Sequence, residues 1–142
     1  MKKILFSLLL FSVLWAQRSM DFQNYEYVKV DTAKATQMTA STVGCYLSQV
    51  IAANPDSQTV FIRIWDTGSA ASYSTDTDMT LPIAAADTNL VGDLDWGISV
   101  YNFPEPGVPF DDGIRWCVMQ SPDSSAPPDS ACIVHFILYK ED

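Results

Sequence analysis

Three pairs of closely spaced carboxylates are the side chains best suited to binding a cation. They are Asp76 and Asp78, Asp93 and Asp95, and Asp111 and Asp112. Hard oxygen ligands one or two positions apart on a loop can hold Ca²⁺, although no pair has the twelve-residue spacing of an EF-hand loop. Solvated acids in turns show the same pattern. The sequence therefore indicates no cofactor, with a structural Ca²⁺ ion as the alternative.

A second candidate is the segment 65–70, Trp-Asp-Thr-Gly-Ser-Ala, which follows a hydrophobic run and resembles the active-site loop of aspartic peptidases. That chemistry needs two carboxylates that share one proton, each on such a loop. The chain has one copy, so a homodimer would have to bring two Asp66 side chains together. The companion element, two aliphatic residues followed by glycine, is missing from residues 133–138. The structural alternative is a turn after a strand, with Gly68 free to adopt positive φ.

His135 is the only histidine, and it lies in an apolar segment between Val134 and Phe136. A catalytic triad would need a nucleophile and an orienting acid beside it, and the chain has no Gly-x-Ser-x-Gly motif. One histidine and three scattered cysteines also lack the close ligand pairs of zinc sites. We expect a partly buried strand residue satisfied by hydrogen bonds, and we assign no catalytic residue.

The three cysteines, Cys45, Cys117 and Cys132, allow at most one internal disulfide bond. If residues 121–130 form a hairpin loop, Cys117 and Cys132 lie directly opposite each other on its strands. A non-hydrogen-bonded antiparallel pair brings the Cβ atoms close to the disulfide distance, whereas a shift of one residue separates them. The candidate bridge is Cys117–Cys132, which leaves Cys45 buried or available for an intermolecular bond.

Several aromatic residues could form a surface that stacks on sugars or binds a partner. They are Tyr25, Tyr27, Tyr46, Tyr73, Trp96 and Tyr101. Aromatic side chains also fill the cores of β-sandwiches, and the sequence does not separate the two roles without strand register. An exposed aromatic row on one sheet face would favour a carbohydrate-binding module, whereas burial of Trp96 and Tyr101 would count against it.

The elements that position these residues are short β-strands. They are residues 25–30, 43–53, 59–65, 80–84, 96–103, 114–120 and 132–139. Most alternate between two faces, and Gly, Pro, Asp or Ser clusters separate them, which is typical of strands. Seven or eight short strands predict an all-β fold, an antiparallel β-sandwich of jelly-roll type, in a single domain at residues 17–142.

Residues 1–16 have the organisation of a secretory signal peptide. Lys2 and Lys3 precede an apolar run of about 12 residues that ends near Ala16. This run is shorter than the roughly 20 residues of a membrane-spanning helix. We expect cleavage near Ala16 and an exported protein, either periplasmic, extracellular or on the cell surface. A retained hydrophobic anchor or a packing helix is the alternative.

Composition narrows the range of partners. The chain is 48% hydrophobic and 18% charged, which excludes intrinsic disorder, and its formal net charge is −9. Phosphate backbones and anionic membrane surfaces repel such a chain, so neither nucleic acid nor a membrane surface is an expected partner. Protein subunits are the expected partners, with a glycan as the alternative.

Four sequence elements between residues 39 and 139 form a pattern. The Thr/Ala/Ser-rich segment 39–44 leads into Val and Gly, the segment 64–72 turns at Trp65-Asp66, and residues 133–139 close the chain with an aromatic. Between them stand Phe103, Gly107, Phe110, Gly113 and Ile114. The pattern resembles small β-sandwich proteins encoded among the structural genes of tailed bacteriophages and prophages. The resemblance implies a non-enzymatic virion or surface-assembly subunit in a homo-oligomer or larger assembly. Asp66, Gly68 and Gly113 are then structural turn residues.

Overall fold

The computed structural model describes residues 24–72, 76–87, 96–123 and 125–140. Nine strands form the regular structure of these residues. They are β1 (Tyr25–Ala33), β2 (Met38–Ser41), β3 (Cys45–Asn54), β4 (Val60–Asp66), β5 (Met79–Ile83), β6 (Gly97–Asn102), β7 (Val108–Phe110), β8 (Ile114–Met119) and β9 (Cys132–Tyr139). The predicted all-β class is confirmed. Alternation did not indicate β2 and β7, because four and three residues are too few to show it. The predicted signal peptide, residues 1–16, lies outside the described residues.

The strands form two antiparallel sheets with the strand order of a jelly roll. Sheet A has the order β1-β9-β3-β6, with β7 paired to the beginning of β3, and sheet B has the order β2-β8-β4-β5. Most connections cross from one sheet to the other, so strands that follow each other in sequence are seldom partners. This is the arrangement of the double-sheet jelly roll, and it confirms the predicted β-sandwich.

The core lies between the sheets because one face of each central strand is apolar. Along β9, Cys132, Val134, Phe136 and Leu138 are buried, while the residues between them are half-buried. The rings of Trp116 and Phe136 meet across the two sheets with centroids 4.8 Å apart. Each large apolar side chain buried here stabilises the fold by about 1.5–3 kcal/mol. No helix in the described ranges has the length and hydrophobicity to cross a membrane.

The prediction that residues 121–130 form a hairpin loop is wrong. Strand β8 belongs to sheet B and β9 to sheet A, so the segment between them crosses from one sheet to the other. Within the segment, Gln120 N donates to Ala126 O at 3.1 Å, and Ser130 N donates to a carboxylate oxygen of Asp56, after β3, at 3.0 Å. Closeness in sequence suggested a hairpin, but in the jelly-roll order β8 pairs with β2 and β4, and β9 pairs with β1 and β3.

Candidate functional site

Asp66 ends β4 and connects three segments of backbone. One carboxylate oxygen accepts the N–H of Asp111 at 2.9 Å, and the other accepts the N–H of Asp112 at 2.8 Å. The backbone N–H of Asp66 donates to the carboxylate of Asp78 at 2.6 Å, and the N–H of Thr67 donates to Gly113 O at 3.0 Å. The carboxylate therefore fixes the turn between β7 and β8 to the end of β4. Hydrogen bonds to a charged acceptor are stronger than neutral ones, which suits a structural role.

The glycines around this turn are required for two different reasons. Gly113 has a φ of +116°, and a Cβ atom there would lie 2.7 Å from Ser41 O. At Gly68 the constraint is close approach, since a Cβ atom would lie 2.9 Å from Asp112 O. The expectation that Gly68 uses positive φ is wrong, because the described glycines with positive φ are Gly107 and Gly113. The turn role of Gly68 rests on the backbone that passes beside it.

Of the remaining candidate cation ligands, some take part in hydrogen bonds and others are exposed to solvent. Asp78 accepts the Asp66 N–H, whereas Asp111 and Asp112 contribute backbone N–H groups to Asp66. Asp76 is exposed beside a shallow cleft that Trp65 and Ala71 also line. Across the ranges that the structure describes, no group of three or more His, Cys, Asp or Glu side chains is placed to hold a metal ion. Asp93 and Asp95 lie outside the described residues.

The Cys117–Cys132 disulfide is a prediction that fails with the hairpin on which it rests. Cys117 lies opposite Arg63 on β4, and Cys132 lies opposite Ala33 on β1, so the two are not cross-strand partners. All three cysteines are buried and free. Burial raises the pKa of the Cys117 thiol to about 12 and that of the Cys132 thiol to about 12, and it also raises the pKa of Cys45. Thiols that stay protonated are poor nucleophiles, so these cysteines act as small core residues.

The outer face of sheet B is covered by the chain itself. Trp65, Cys117 and Met119 form a second apolar cluster there, with Ala35 and Ala71 packed against it from two connecting segments. The two segments are joined by Gln37, whose Nε2 donates to Ala71 O at 2.7 Å and whose Oε1 accepts from Ala71 N at 3.0 Å. Trp65, Cys117 and Met119 are buried under these segments, and Trp65 is 3% exposed.

The outer face of sheet A carries apolar side chains that the chain leaves exposed or half-buried. We call this surface the open face. Its members on β3, β6 and β9 are Ile51, Ala53, Ile98, Val100, Ile133, His135 and Ile137. Ile98 is 66% exposed and Val100 is 50% exposed. The register places Ile51 opposite both His135 and Val100, and Ala53 opposite both Ile133 and Ile98, so the surface is continuous across the three strands.

Sequence reasoning did not single out these aliphatic residues, although β9 gave a signal. The strand is apolar at seven of its eight positions, from Cys132 to Tyr139, with His135 as the exception. Continuous apolar runs are typical of strands that are covered on both faces. In sheet A one face packs on the core, and the described residues place no connecting segment over the other face.

His135 lies within the open face rather than in a catalytic cluster. Its Nδ1 contacts the hydroxyl of Tyr27, and the two rings meet edge to face with centroids 5.3 Å apart. Lys29 is its cross-strand neighbour on β1, and Lys29 forms an ion pair with Asp31 at 3.0 Å. The contact with Tyr27 gives the imidazole a hydrogen-bonding partner at the surface.

The aromatic candidates separate into a surface set and an inward-facing residue. Tyr25 and Tyr46 flank Tyr139, which sequence reasoning missed, with ring centroids 5.4 and 6.0 Å apart. We call these three residues the tyrosine row. Tyr101 instead directs its hydroxyl to Pro82 O on sheet B, and burial raises its pKa. Trp96 is 41% exposed, and Tyr73 lies outside the described residues. Strand register was the missing signal, because the row joins three strands that are distant in sequence.

Comparison of the chain with family models, with curated proteins and with solved structures gives no match. The function is therefore argued from the geometry of the open face, the tyrosine row and the Asp66 turn.

Proposed function

We propose that this protein is a non-enzymatic structural subunit, exported or virion-associated, that assembles with further copies of itself through the open face. The observation that supports this is the contrast between the two outer faces. The described residues cover the apolar cluster on sheet B with two connecting segments, but they leave Ile98 66% exposed and Val100 50% exposed on sheet A. A contiguous exposed apolar surface is typical of protein interaction sites.

The edge strand β6 supports association with a second copy. An edge strand usually carries charges or proline, or is very short, because these features prevent pairing with another chain. Strand β1 carries Glu26, Lys29 and Asp31, β5 carries Pro82, and β2 has four residues. Strand β6 has six residues and neither a charge nor a proline. Among the described edge strands, β6 is therefore the one with the fewest features that would prevent pairing with a strand of another copy.

Charge also favours this surface over the rest of the molecule. Two copies of a chain with a formal net charge of −9 repel each other, so they associate best where charge is absent. Strands β3, β6 and β9 contain no Asp, Glu, Lys or Arg. An isologous antiparallel contact centred on Ser99 would place Ile98 of one copy opposite Val100 of the other, and such cross-strand aliphatic pairs stabilise sheets.

The geometry of Asp66 supports a structural role over a peptidase role. A shared-proton dyad needs carboxylate oxygens that face a second carboxylate. Both Asp66 oxygens already accept backbone N–H groups from the turn between β7 and β8. Moving that carboxylate towards a symmetry-related copy would leave two N–H donors without their acceptor. The absence of catalysis remains a proposal, and peptide cleavage that depends on Asp66 would contradict it.

The test is the oligomeric state of the protein after export and any processing near Ala16. We expect light scattering after size-exclusion chromatography to show dimers or larger species, and electron microscopy to show whether these are closed particles. An Ile98→Lys variant should shift the population to monomers. Thr32→Lys adds the same charge to an exposed position on β1 and serves as the control. A wild-type protein that is monomeric over the whole accessible concentration range would refute the proposal.

A further inference from the structure

The tyrosine row lies at one end of sheet A, on the same side as the open face. Cross-strand pairing aligns Tyr139 with Tyr25 on β1 and with Tyr46 on β3, so the three rings stand side by side on adjacent strands. Their planes are tilted by 56° and 54°, which produces a ridged surface rather than a flat stack. All three side chains are half-buried, so each ring offers part of its surface to a ligand.

Two clefts border this row. Tyr25 and Tyr139 line one of them together with Glu105 and Pro106, and its volume is about 310 Å³. Tyr46 lines the second, of about 190 Å³, together with Gly44 and Pro109. The larger cleft reaches the lower end of the range of small-molecule sites, about 300–1,000 Å³. Tyrosine and proline residues thus line both clefts, and Glu105 adds a carboxylate to the larger one.

We propose that the tyrosine row and its clefts bind a neutral oligosaccharide. The C–H faces of pyranose rings pack against aromatic rings, and the Tyr hydroxyls can both donate and accept hydrogen bonds. The carboxylate of Glu105 accepts hydrogen bonds only, which matches the hydroxyl donors of a sugar. The separations of 5.4 and 6.0 Å between neighbouring rings are comparable to the length of one pyranose unit, so successive units could contact successive tyrosines.

Charge makes a neutral sugar a better ligand than an acidic one. Glu105 lines the larger cleft and Asp111 lines the smaller one, and among the described residues no Lys or Arg lines either cleft. The net charge at the row is therefore negative. Uronic or sialic acids would bring a further carboxylate to this site, and like charges repel at such distances.

A proline-rich peptide is the competing ligand for an aromatic groove, and the polar groups favour the sugar. Peptides in the polyproline conformation dock on aromatic rings and present carbonyl oxygens, while their proline nitrogens carry no hydrogen. The Tyr hydroxyls could donate to such carbonyls. The Glu105 carboxylate would meet no N–H donor along a run of prolines, whereas it would accept hydrogen bonds from sugar hydroxyls.

The site is distant from β6, the edge strand on which the proposed self-association is centred. Tyr46 and Ala53 are seven residues apart on β3, which corresponds to roughly 23 Å along an extended strand. Ala53 is the cross-strand neighbour of Ile98. Saccharide binding and self-association can therefore be tested independently, and the Ile98→Lys variant should keep the saccharide affinity of the wild type.

The experiment is titration calorimetry with soluble cello-, xylo-, manno- and chito-oligosaccharides, and with an oligogalacturonate as the acidic comparison. We expect at least one neutral oligosaccharide to bind and the oligogalacturonate to bind more weakly or not at all. Tyr139→Ala should weaken binding about tenfold, the equivalent of one lost aromatic contact. Glu105→Gln, on an exposed loop, should weaken it about threefold or more, because a charged acceptor becomes neutral.

Tyr27→Ala is the matched control, because Tyr27 is exposed on the same face but contacts His135 instead of the row. It should change the affinity by less than about twofold, since its ring stands outside the site. Thermal melting of each variant verifies that the fold is kept. The inference is overturned if no neutral saccharide binds, if Tyr27→Ala and Tyr139→Ala weaken binding equally, or if a proline-rich peptide binds with the same dependence on Tyr139.

Discussion

The two outer faces of the sandwich are built from similar alternating strands but end in different environments. On sheet B the outward side chains include Arg63, which is 5% exposed and lies over the Trp65 ring at 5.1 Å. On sheet A they include Tyr27, which is 57% exposed, and Ile98. The difference comes from the connections. The segments after β1 and β4 cross the outer face of sheet B, and the described residues provide no equivalent cover for Ile98.

The contrast teaches that an apolar outward residue in this fold has one of two roles. Where a connecting segment crosses it, the residue belongs to the core and contributes to the free energy of unfolding. Where no described segment crosses it, the residue contributes little to that free energy, and under the proposed function it contacts another molecule. Substitutions on the two faces should therefore separate stability from association.

The largest expected effect is that of removing the indole from the covered face. Trp65→Ala should lower the free energy of unfolding by about 3–5 kcal/mol, because it leaves a cavity beneath the covering segments. Tyr27→Ala on the open face should cost less than about 1 kcal/mol, because that ring is already largely in water. Urea denaturation measures both, and equal losses would remove the distinction between the faces.

Alkaline pH tests the burial of the thiols. Cys117 and Cys132 have pKa values raised from 9.0 to about 12 in the folded protein. Between about pH 9 and 12 the unfolded chain therefore releases protons that the folded chain keeps. The free energy of unfolding should fall as pH rises through this window, by up to about 1.4 kcal/mol per pH unit for each thiol. Cys117→Ala should show a shallower slope, and an unchanged slope would place that thiol in solvent.

Asp66→Asn tests the turn at the end of the covered sheet. The amide offers one oxygen and no charge, so one of the two N–H donors, from Asp111 or Asp112, loses its acceptor. We expect a loss of about 1–3 kcal/mol in the free energy of unfolding. Asp76→Asn, at an exposed position, should change it by less than about 0.5 kcal/mol. Matching values for the two variants would argue against the structural role of Asp66.

A smaller effect is expected from opening the cover of sheet B. Gln37→Ala removes both hydrogen bonds to Ala71 and should cost about 1 kcal/mol. Cys117 beneath the cover should then react faster with thiol reagents in the folded state. Gln49→Ala, which removes the contact of Gln49 with Asn102 on sheet A, is the control and should leave the labelling of Cys117 unchanged.

The smallest effect on stability is expected on the open face. Ile98→Ser should change the free energy of unfolding by less than about 0.5 kcal/mol, since the side chain is mostly solvated. The same variant should weaken self-association as seen by analytical ultracentrifugation. A large loss of stability in a monomeric sample would show that Ile98 belongs to the core. It would refute the claim that the outer face of sheet A contributes little to stability.

Much of the fold could be predicted because alternation with period two is a local property. Six of the seven alternating or apolar segments coincide closely with strands, and the weaker segment 80–84 also overlaps β5, with Pro82 on an edge strand as expected. The tyrosine row was harder to predict from the sequence. Tyr25 and Tyr46 were among the aromatic candidates, but Tyr139 was not, since only cross-strand pairing brings it between them.

The sequence by itself indicated seven of the nine strands, all except the short β2 and β7, and it showed that Asp66 has no second motif in the same chain. Tertiary structure decided which strands are neighbours. It thereby decided that the cysteines are not paired and that one outer face is covered while the other is exposed. Cys117 and Cys132 are close in sequence but lie in strands of different sheets, whereas Tyr25 and Tyr139 are cross-strand neighbours from opposite ends of the described chain. The physical reason is that backbone preference acts over a few residues, while pairing and cover depend on where each connecting segment crosses the sandwich.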